Sequence, residues 1–209
     1  MNQLPKMLPG YSHVNRYWDK SRKAWIAKIL PGQFYVSQGQ EMIGTVLGSC
    51  ISACIWDDYA KVGGMNHFML PLSKNKSFDS IKKLPPSSDA NRYGNYAMEH
   101  LINEVLKHGG VKERLQVKLF GGASVMRTSY DIGEQNIAFV LNYTQQEGLN
   151  VISQNMGHNF PRKILFDPIT GKALMKRIRS LHNDTIVQRE EAYREEIVTS
   201  DVGGEVELF

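Results

Sequence analysis

A thiol and an imidazole stand seventeen residues apart in this chain: Cys50, directly after Leu47-Gly48-Ser49, and His67, inside Val62-Gly63-Gly64-Met65-Asn66-His67-Phe68-Met69-Leu70. A cysteine attacks well only as thiolate, so a catalytic one needs a base or cation beside it and small neighbours that leave the sulfur approachable. Gly48 and Ser49 meet the second need, and His67 is the candidate for the first. Such a pair suits acyl transfer, in which sulfur displaces a leaving group from a carbonyl carbon and imidazole moves the protons. Taken singly, Cys50 also fits a buried core cysteine and His67 a hydrogen-bonded core histidine.

Both residues lie in short runs rich in β-branched and aromatic residues. The run that Cys50 opens, through Ile51-Ser52-Ala53-Cys54-Ile55-Trp56, reads as a strand bounded by a Gly turn before and Asp57-Asp58 after, and Val62 to Leu70 reads as a second, with only Asp57 to Lys61 between them. A hairpin with a tight turn centred on Asp58-Tyr59 sets Cys50 directly opposite His67. Opposed residues share a sheet face with Cβ atoms about 4.5–5.5 Å apart. A slip of one residue would send the two side chains to opposite faces.

Other candidates are weaker. Cys54 shares its parity with Cys50 but lies roughly 13 Å along an extended strand, too far for a disulfide, and reads as core packing. Cys50, Cys54 and His67 could be offered as zinc ligands, but the strand splays the thiols apart and no second tight pair follows, so no metal is expected. Gly121-Gly122, at the end of the strand Leu115-Gln116-Val117-Lys118-Leu119-Phe120, marks a place where a substrate backbone could approach, or a plain turn. No Gly-Lys-Ser/Thr follows, so it is not a phosphate loop.

The 209 residues, 42% of them hydrophobic, suffice for one soluble domain with extensions. No apolar run approaches the ~18–20 residues of a membrane span, and the first residues lack a signal-peptide core, so a cytoplasmic protein without membrane insertion is expected. Charge is uneven. Residues 1–34 carry six Lys and Arg against Asp19, while 183–209 carry eight acids against two arginines. Both ends read as solvated extensions. No helix-turn-helix, zinc-finger or RNA-binding aromatic motif accompanies the basic end, so no nucleic-acid partner is expected. An acidic protein surface is at least as natural a partner.

Along the chain, Gln33 to Gln38 and Met42 to Leu47 read as strands ahead of the Cys/His pair. A polar segment from Pro71 to Asp89 follows, then a helix from Asn91 to His108 closed by Gly109-Gly110. A second helix is predicted over 133–146, a strand near 150–154, and a hairpin of 162–166 with 173–178 around Asp167-Pro168-Ile169-Thr170-Gly171. The expected fold is α/β, α+β-like, with a mixed, largely antiparallel sheet, packed helices, and Cys and His on adjacent strands. The expected organisation is a basic extension over 1–32, a catalytic domain over 33–180 and an acidic tail over 181–209. Gly203 to Phe209, a Gly pair before an acidic-aromatic tip, is a candidate docking peptide.

Six segments in order resemble the CheD family of chemoreceptor glutamine deamidases: Thr45-Val46-Leu47-Gly48-Ser49-Cys50, Gly63 to Pro71, Arg92-Tyr93-Gly94, Phe120-Gly121-Gly122-Ala123, Ile132 to Asn136 and Phe166 to Gly171. The resemblance implies that Cys50 is the nucleophile, His67 its partner, and Thr45 the candidate for a third catalytic residue. It implies hydrolysis of selected glutamines to glutamates on the cytoplasmic domain of methyl-accepting chemotaxis receptors, with no cofactor. Backbone N–H groups around Gly48 and Ser49 would hold the developing oxyanion, with Gly121 and Gly122 as further candidates for that region. Some members also bind a CheC-type phosphatase. An alternative of another class is a non-catalytic adaptor binding receptor or phosphatase, and a third is a thiol protease or transglutaminase using the same dyad.

Overall fold

The computed structural model describes residues 3–71, 89–125, 132–178 and 183–199. Among these residues ten strands form two five-stranded sheets. The first has the order β1-β2-β4-β9-β10, with β1 Asn15–Asp19, β2 Ala24–Lys28, β4 Glu41–Leu47, β9 Arg162–Phe166 and β10 Ala173–Arg177. The second has the order β3-β6-β5-β7-β8, with β3 Phe34–Ser37, β6 Val62–Asn66, β5 Ile51–Asp57, β7 Gln116–Gly121 and β8 Asn150–Met156. Parallel pairing occurs at β2/β4 and β7/β8, and the other ladders are antiparallel. Helices α1 (Asp89–Lys107), α2 (Ile132–Gln146) and α3 (Asn183–Thr199) complete the described residues. The mixed α/β content and largely antiparallel pairing match expectation, but the strands divide into two sheets where one was expected.

The layers follow from burial on both faces of the central strands. Every residue of β5 and β6 is buried, as in a sheet covered on both sides. One face carries α1 against β3, β5 and β6 and α2 against β5 and β8. The other meets the first sheet, where the Trp56 and Phe166 rings sit 5.8 Å apart. Gly63 and Gly64 show how tight this is. A Cβ on Gly63 would stand 2.5 Å from Pro168 O, in the turn of the first sheet, and one on Gly64 2.7 Å from Leu101 Cδ1 of α1. Adjacent strand residues face opposite ways, so a side chain on either would push a different layer off.

The hairpin β5–β6 pairs Cys54 with Met65 and Asp57 with Val62. This register lies two residues from the expected one, so His67 stands opposite Ser52 rather than Cys50. The cause is Asp57. Its Oδ1 accepts the N–H groups of Tyr59 and Ala60 at 2.9 and 3.0 Å, closing a four-residue loop over 58–61 in place of a two-residue turn. A shift of two preserves parity, so Cys50 and His67 still lie on one face, as diagonal neighbours within side-chain reach.

The chain ends also differ from expectation. The basic first segment supplies β1 and β2, with Ile26, Ala27 and Ile29 buried and Trp18 opposite Trp25. From the acidic end, α3 buries Ile186, Glu190, Tyr193 and Ile197. Most of the polar segment 71–89, and all of 203–209, lie outside the described residues.

Candidate active site

Cys50 lies where the chain leaves the first sheet at Leu47 and enters the second at Ile51. The three-residue passage Gly48-Ser49-Cys50 is held from behind by its carbonyls. Ala123 N–H donates to Gly48 O at 2.8 Å, Asn136 Nδ2 to Ser49 O at 2.9 Å, and Gly122 N–H to Cys50 O at 2.8 Å. With the oxygens pinned to one side, the N–H groups point to the other. There they converge on a single carboxylate. Glu190 Oε1 accepts from Gly48 N–H at 2.8 Å and Cys50 N–H at 3.3 Å, while Oε2 accepts from Ser49 N–H at 2.8 Å and Ser49 Oγ at 2.7 Å. Successive backbone N–H groups aimed at one point form an anion seat.

Gly121 and Gly122 build this passage. Both have positive φ, +114° and +66°, and a Cβ on Gly121 would stand 2.0 Å from Cys50 O. Only glycine takes such a backbone conformation at that approach without strain. The Gly122 N–H is spent on Cys50 O, so this glycine pair holds the Cys50 backbone rather than facing the anion seat. Arg162, buried in β9, donates through Nη1 to Gly121 O at 3.2 Å.

His67 follows β6 and is fixed at its backbone by chain 32–33: Gly32 N–H donates to His67 O at 2.7 Å and His67 N–H to Gln33 O at 2.9 Å. Its ring meets Thr45 of β4, with Oγ1 and Nδ1 2.8 Å apart. The same hydroxyl lies 2.9 Å from Ile29 O. A carbonyl only accepts, so the one hydroxyl proton goes to Ile29 and Thr45 must accept from Nδ1–H. The network therefore assigns the tautomer with a bare Nε2. That atom is buried and finds no hydrogen-bond partner among the described residues. Cys50, His67 and Glu190 each bring one donor atom within 4.8 Å of the others. Thr45, Ser49, Gly48, Cys50 and His67 thus come together, and Gly121 and Gly122 stand behind them.

The electrostatics are those of a closed site. Cys50 is fully buried, and burial, followed by the charge of Glu190 and its hydrogen bond, pushes the thiol well up from its ordinary value. Burial alone pushes His67 down to about 3, so the ring is neutral near pH 7. Sulfur, imidazole and carboxylate are a conceivable cation set, but both oxygens of Glu190 already accept two hydrogen bonds each, which an ion would have to break. Cys54 is buried in β5, and its thiol is raised by desolvation.

Two residues of this arrangement escaped sequence reasoning. Asn136 of α2 ties both site strands together: its Nδ2 donates to Ser49 O, and its Oδ1 accepts Leu70 N–H at 2.9 Å, three residues beyond His67. Glu190 was counted among the charges of an acidic tail. The signal was its place between Ile186, Tyr193 and Ile197, on one helical face with three apolar residues.

The profile of a family described as CheD chemotactic sensory transduction matches residues 69–177. A protein of Hahella chejuensis named "Probable chemoreceptor glutamine deamidase CheD" is 50% identical over 205 residues, spanning 98% of this chain and 95% of that one. A Halorhodospira halophila protein of the same name is 48% identical over 206 residues, spanning 99% and 94%. One from Methylobacillus flagellatus, again of that name, is 45% identical over 198 residues, spanning 94% and 95%. No helix among the described residues is long and apolar enough to cross a membrane. A profile match over half the chain, together with relatives near half identical along almost all of it, means that this chain belongs to the CheD family.

Proposed function

We propose that this protein hydrolyses glutamine side chains of chemotaxis receptors to glutamate, with Cys50 as nucleophile and His67 as proton carrier. The observation that carries the reading is the Thr45–His67 contact. It leaves Nε2 bare on a ring that has one nitrogen within 4.8 Å of the Cys50 sulfur, next to a turn whose N–H groups converge on an anion. The names of the relatives supply the substrate class.

The chemistry runs in two halves. His67 Nε2 takes the Cys50 proton as sulfur bonds to the carboxamide carbon, and the oxyanion is held by N–H groups of the 48–50 passage and the Ser49 hydroxyl. Collapse breaks the C–N bond, and the imidazolium gives its proton to the departing ammonia. Water, activated by the now neutral His67, then attacks the thioester, and the glutamate leaves with the thiol restored. Thr45 acts through His67 and is a positioning residue. Every proton has a carrier among these side chains, and the step needs no redox change.

The same reading assigns the protein to the cytoplasm, where the receptor's signalling domain lies, and makes that domain its partner. A CheC-type phosphatase is a further partner we infer from the resemblance alone. The test is mass spectrometry of receptor peptides after incubation with wild type, Cys50→Ala and His67→Ala. Wild type converts Gln to Glu and neither variant does. Conversion by both variants would reject the mechanism, and receptor binding without conversion by wild type would favour the adaptor reading.

A further inference from the structure

Helix α3 closes the site. Ile186, Glu190, Tyr193 and Ile197 recur at steps of four, three and four residues, which places them on one helix face, and all four are buried. A carboxylate in the middle of an apolar stripe is costly to bury unless hydrogen-bonded. Glu190 is saturated by donors of the Cys50 passage: three N–H groups and the Ser49 hydroxyl, with the Cys50 thiol also hydrogen-bonded to it. One turn on, the Tyr193 hydroxyl bonds to that of Tyr93 on α1, and its ring lies over Gly32, where a Cβ would come within 3.0 Å of it.

Resting on the deamidase reading above, we propose that α3 is a tethered product mimic. Its Glu190 fills the seat in which a substrate side chain is cleaved, and a substrate helix must displace α3 before it can reach Cys50. Glutamate is the side chain that deamidation leaves behind, and here one is delivered from a helix into the anion seat beside the sulfur. Gly48 is part of the fit. A Cβ there would stand 2.8 Å from Glu190 Oε2 and 2.9 Å from Oε1, so the turn carries no side chain where the carboxylate lies. Cys50 has no exposed surface in this arrangement, so no substrate reaches it without movement.

The helix is also seated in a way that permits release. A cavity of about 340 Å³ lies beneath it, lined by Ile29, Leu30, Thr45 and His67 from the body and by Ile186 and Arg189 from α3. Along that cavity the helix has no body atoms packed against it; Glu190 and the Tyr93–Tyr193 bond are two of the points that anchor it, beside the buried Ile197. The seat also describes its ligand. A competing segment would be an amphipathic helix with glutamine in place of Glu190 and apolar residues four before, three after and seven after it.

The test uses the full chain carrying Glu190→Ala, Glu190→Gln or Tyr193→Phe, the last loosening the helix without touching the seat. Two quantities are read: the alkylation rate of Cys50 by iodoacetamide, by peptide mass spectrometry with buried Cys54 as internal control, and conversion of glutamines in a receptor cytoplasmic fragment. Removing a charge-assisted anchor shifts an opening equilibrium about tenfold or more. Glu190→Ala is therefore expected to alkylate faster by that factor and to convert receptor faster, with Tyr193→Phe between it and wild type, whereas Glu190→Gln, which seats a substrate side chain beside Cys50, is expected to be converted back to Glu190 by the protein's own turnover. Unchanged alkylation in all three would overturn the proposal. So would loss of conversion in variants whose Cys50 has become reactive, since Glu190 would then be part of the working site. Faster alkylation with no receptor conversion by any form, wild type included, would instead reject the deamidase reading and with it the product-mimic role, leaving only closure by α3.

Discussion

Thr45, on β4 of the first sheet, and His67, just past β6 of the second, share one proton assignment: the Thr45 hydroxyl gives its hydrogen to Ile29 O, so it must receive the one on His67 Nδ1. The contact joins the two sheets at the point where the chain passes between them. It also fixes which nitrogen of His67 is left bare.

Replacing Thr45 by Val removes the acceptor and frees the ring to rotate or change tautomer. General acid–base catalysis contributes about 10²–10⁴ in rate, so Thr45→Val is expected to lower kcat by on the order of a hundredfold, with KM little changed. Thr45→Ser keeps the hydroxyl and should restore most of it. Steady-state kinetics on a receptor fragment checks this, and a Ser variant as impaired as Val would show that the methyl, not the hydrogen bond, matters.

Burial holds His67 down to about 3, below its ordinary 6.5. Above pH 6.5 the ring is neutral in both folded and unfolded chains and contributes no pH dependence. As pH falls from there toward 3, the unfolded chain binds a proton that the folded one refuses. Folding then loses up to about 1.4 kcal/mol per pH unit from this residue. Urea unfolding of wild type and His67→Asn at about pH 6.5 and 5.5 measures the difference. The variant should lose less stability over that step, and equal losses would mean that His67 titrates normally in the folded protein.

Asn136 holds the passage behind Cys50 and the strand end after His67 with one amide. Asn136→Ala leaves Ser49 O and Leu70 N–H without it, and each unsatisfied buried group costs about 1–3 kcal/mol. The expected result is a lower urea midpoint and weakened turnover, whereas Asn136→Asp should rescue the Leu70 bond but not the one to Ser49 O. Unaltered stability in the Ala variant would show that these groups find other partners.

Gly121 has φ +114° and no room for a Cβ against Cys50 O. Gly121→Ala adds backbone strain of about 1–3 kcal/mol and a clash that must move the Cys50 carbonyl. Thermal unfolding should occur at a lower temperature, with turnover lost more steeply than stability, because the displaced carbonyl carries the anion-seat N–H groups with it. A drop in stability with turnover intact would contradict that coupling.

The pairing of Cys50 with His67 was legible because strand parity depends only on counting. It survived a two-residue error in the turn that sequence could not resolve, since the loop over 58–61 is set by Asp57, whose orientation depends on Arg114 and Val111 far along the chain. The second hairpin was legible from Pro and Gly at its turn. β1 and β2 were not, because their basic residues, read as charge, masked the buried Ile26 and Ala27. The division into two sheets was hidden for a different reason: β4 and β5 are consecutive in sequence yet belong to different sheets, and only long-range pairing with β9 and β7 decides that. Glu190 was missed because composition treats every acid in an acidic stretch alike.

The most direct measurement is of the sulfur itself. Wild type mixed with a receptor fragment and quenched in acid should yield a covalent adduct joining Cys50 to a receptor glutamyl group, detected by mass spectrometry, released by hydroxylamine and absent from Cys50→Ser. Glutamate formation at an undiminished rate in Cys50→Ser, with no adduct in wild type, would contradict the thioester route.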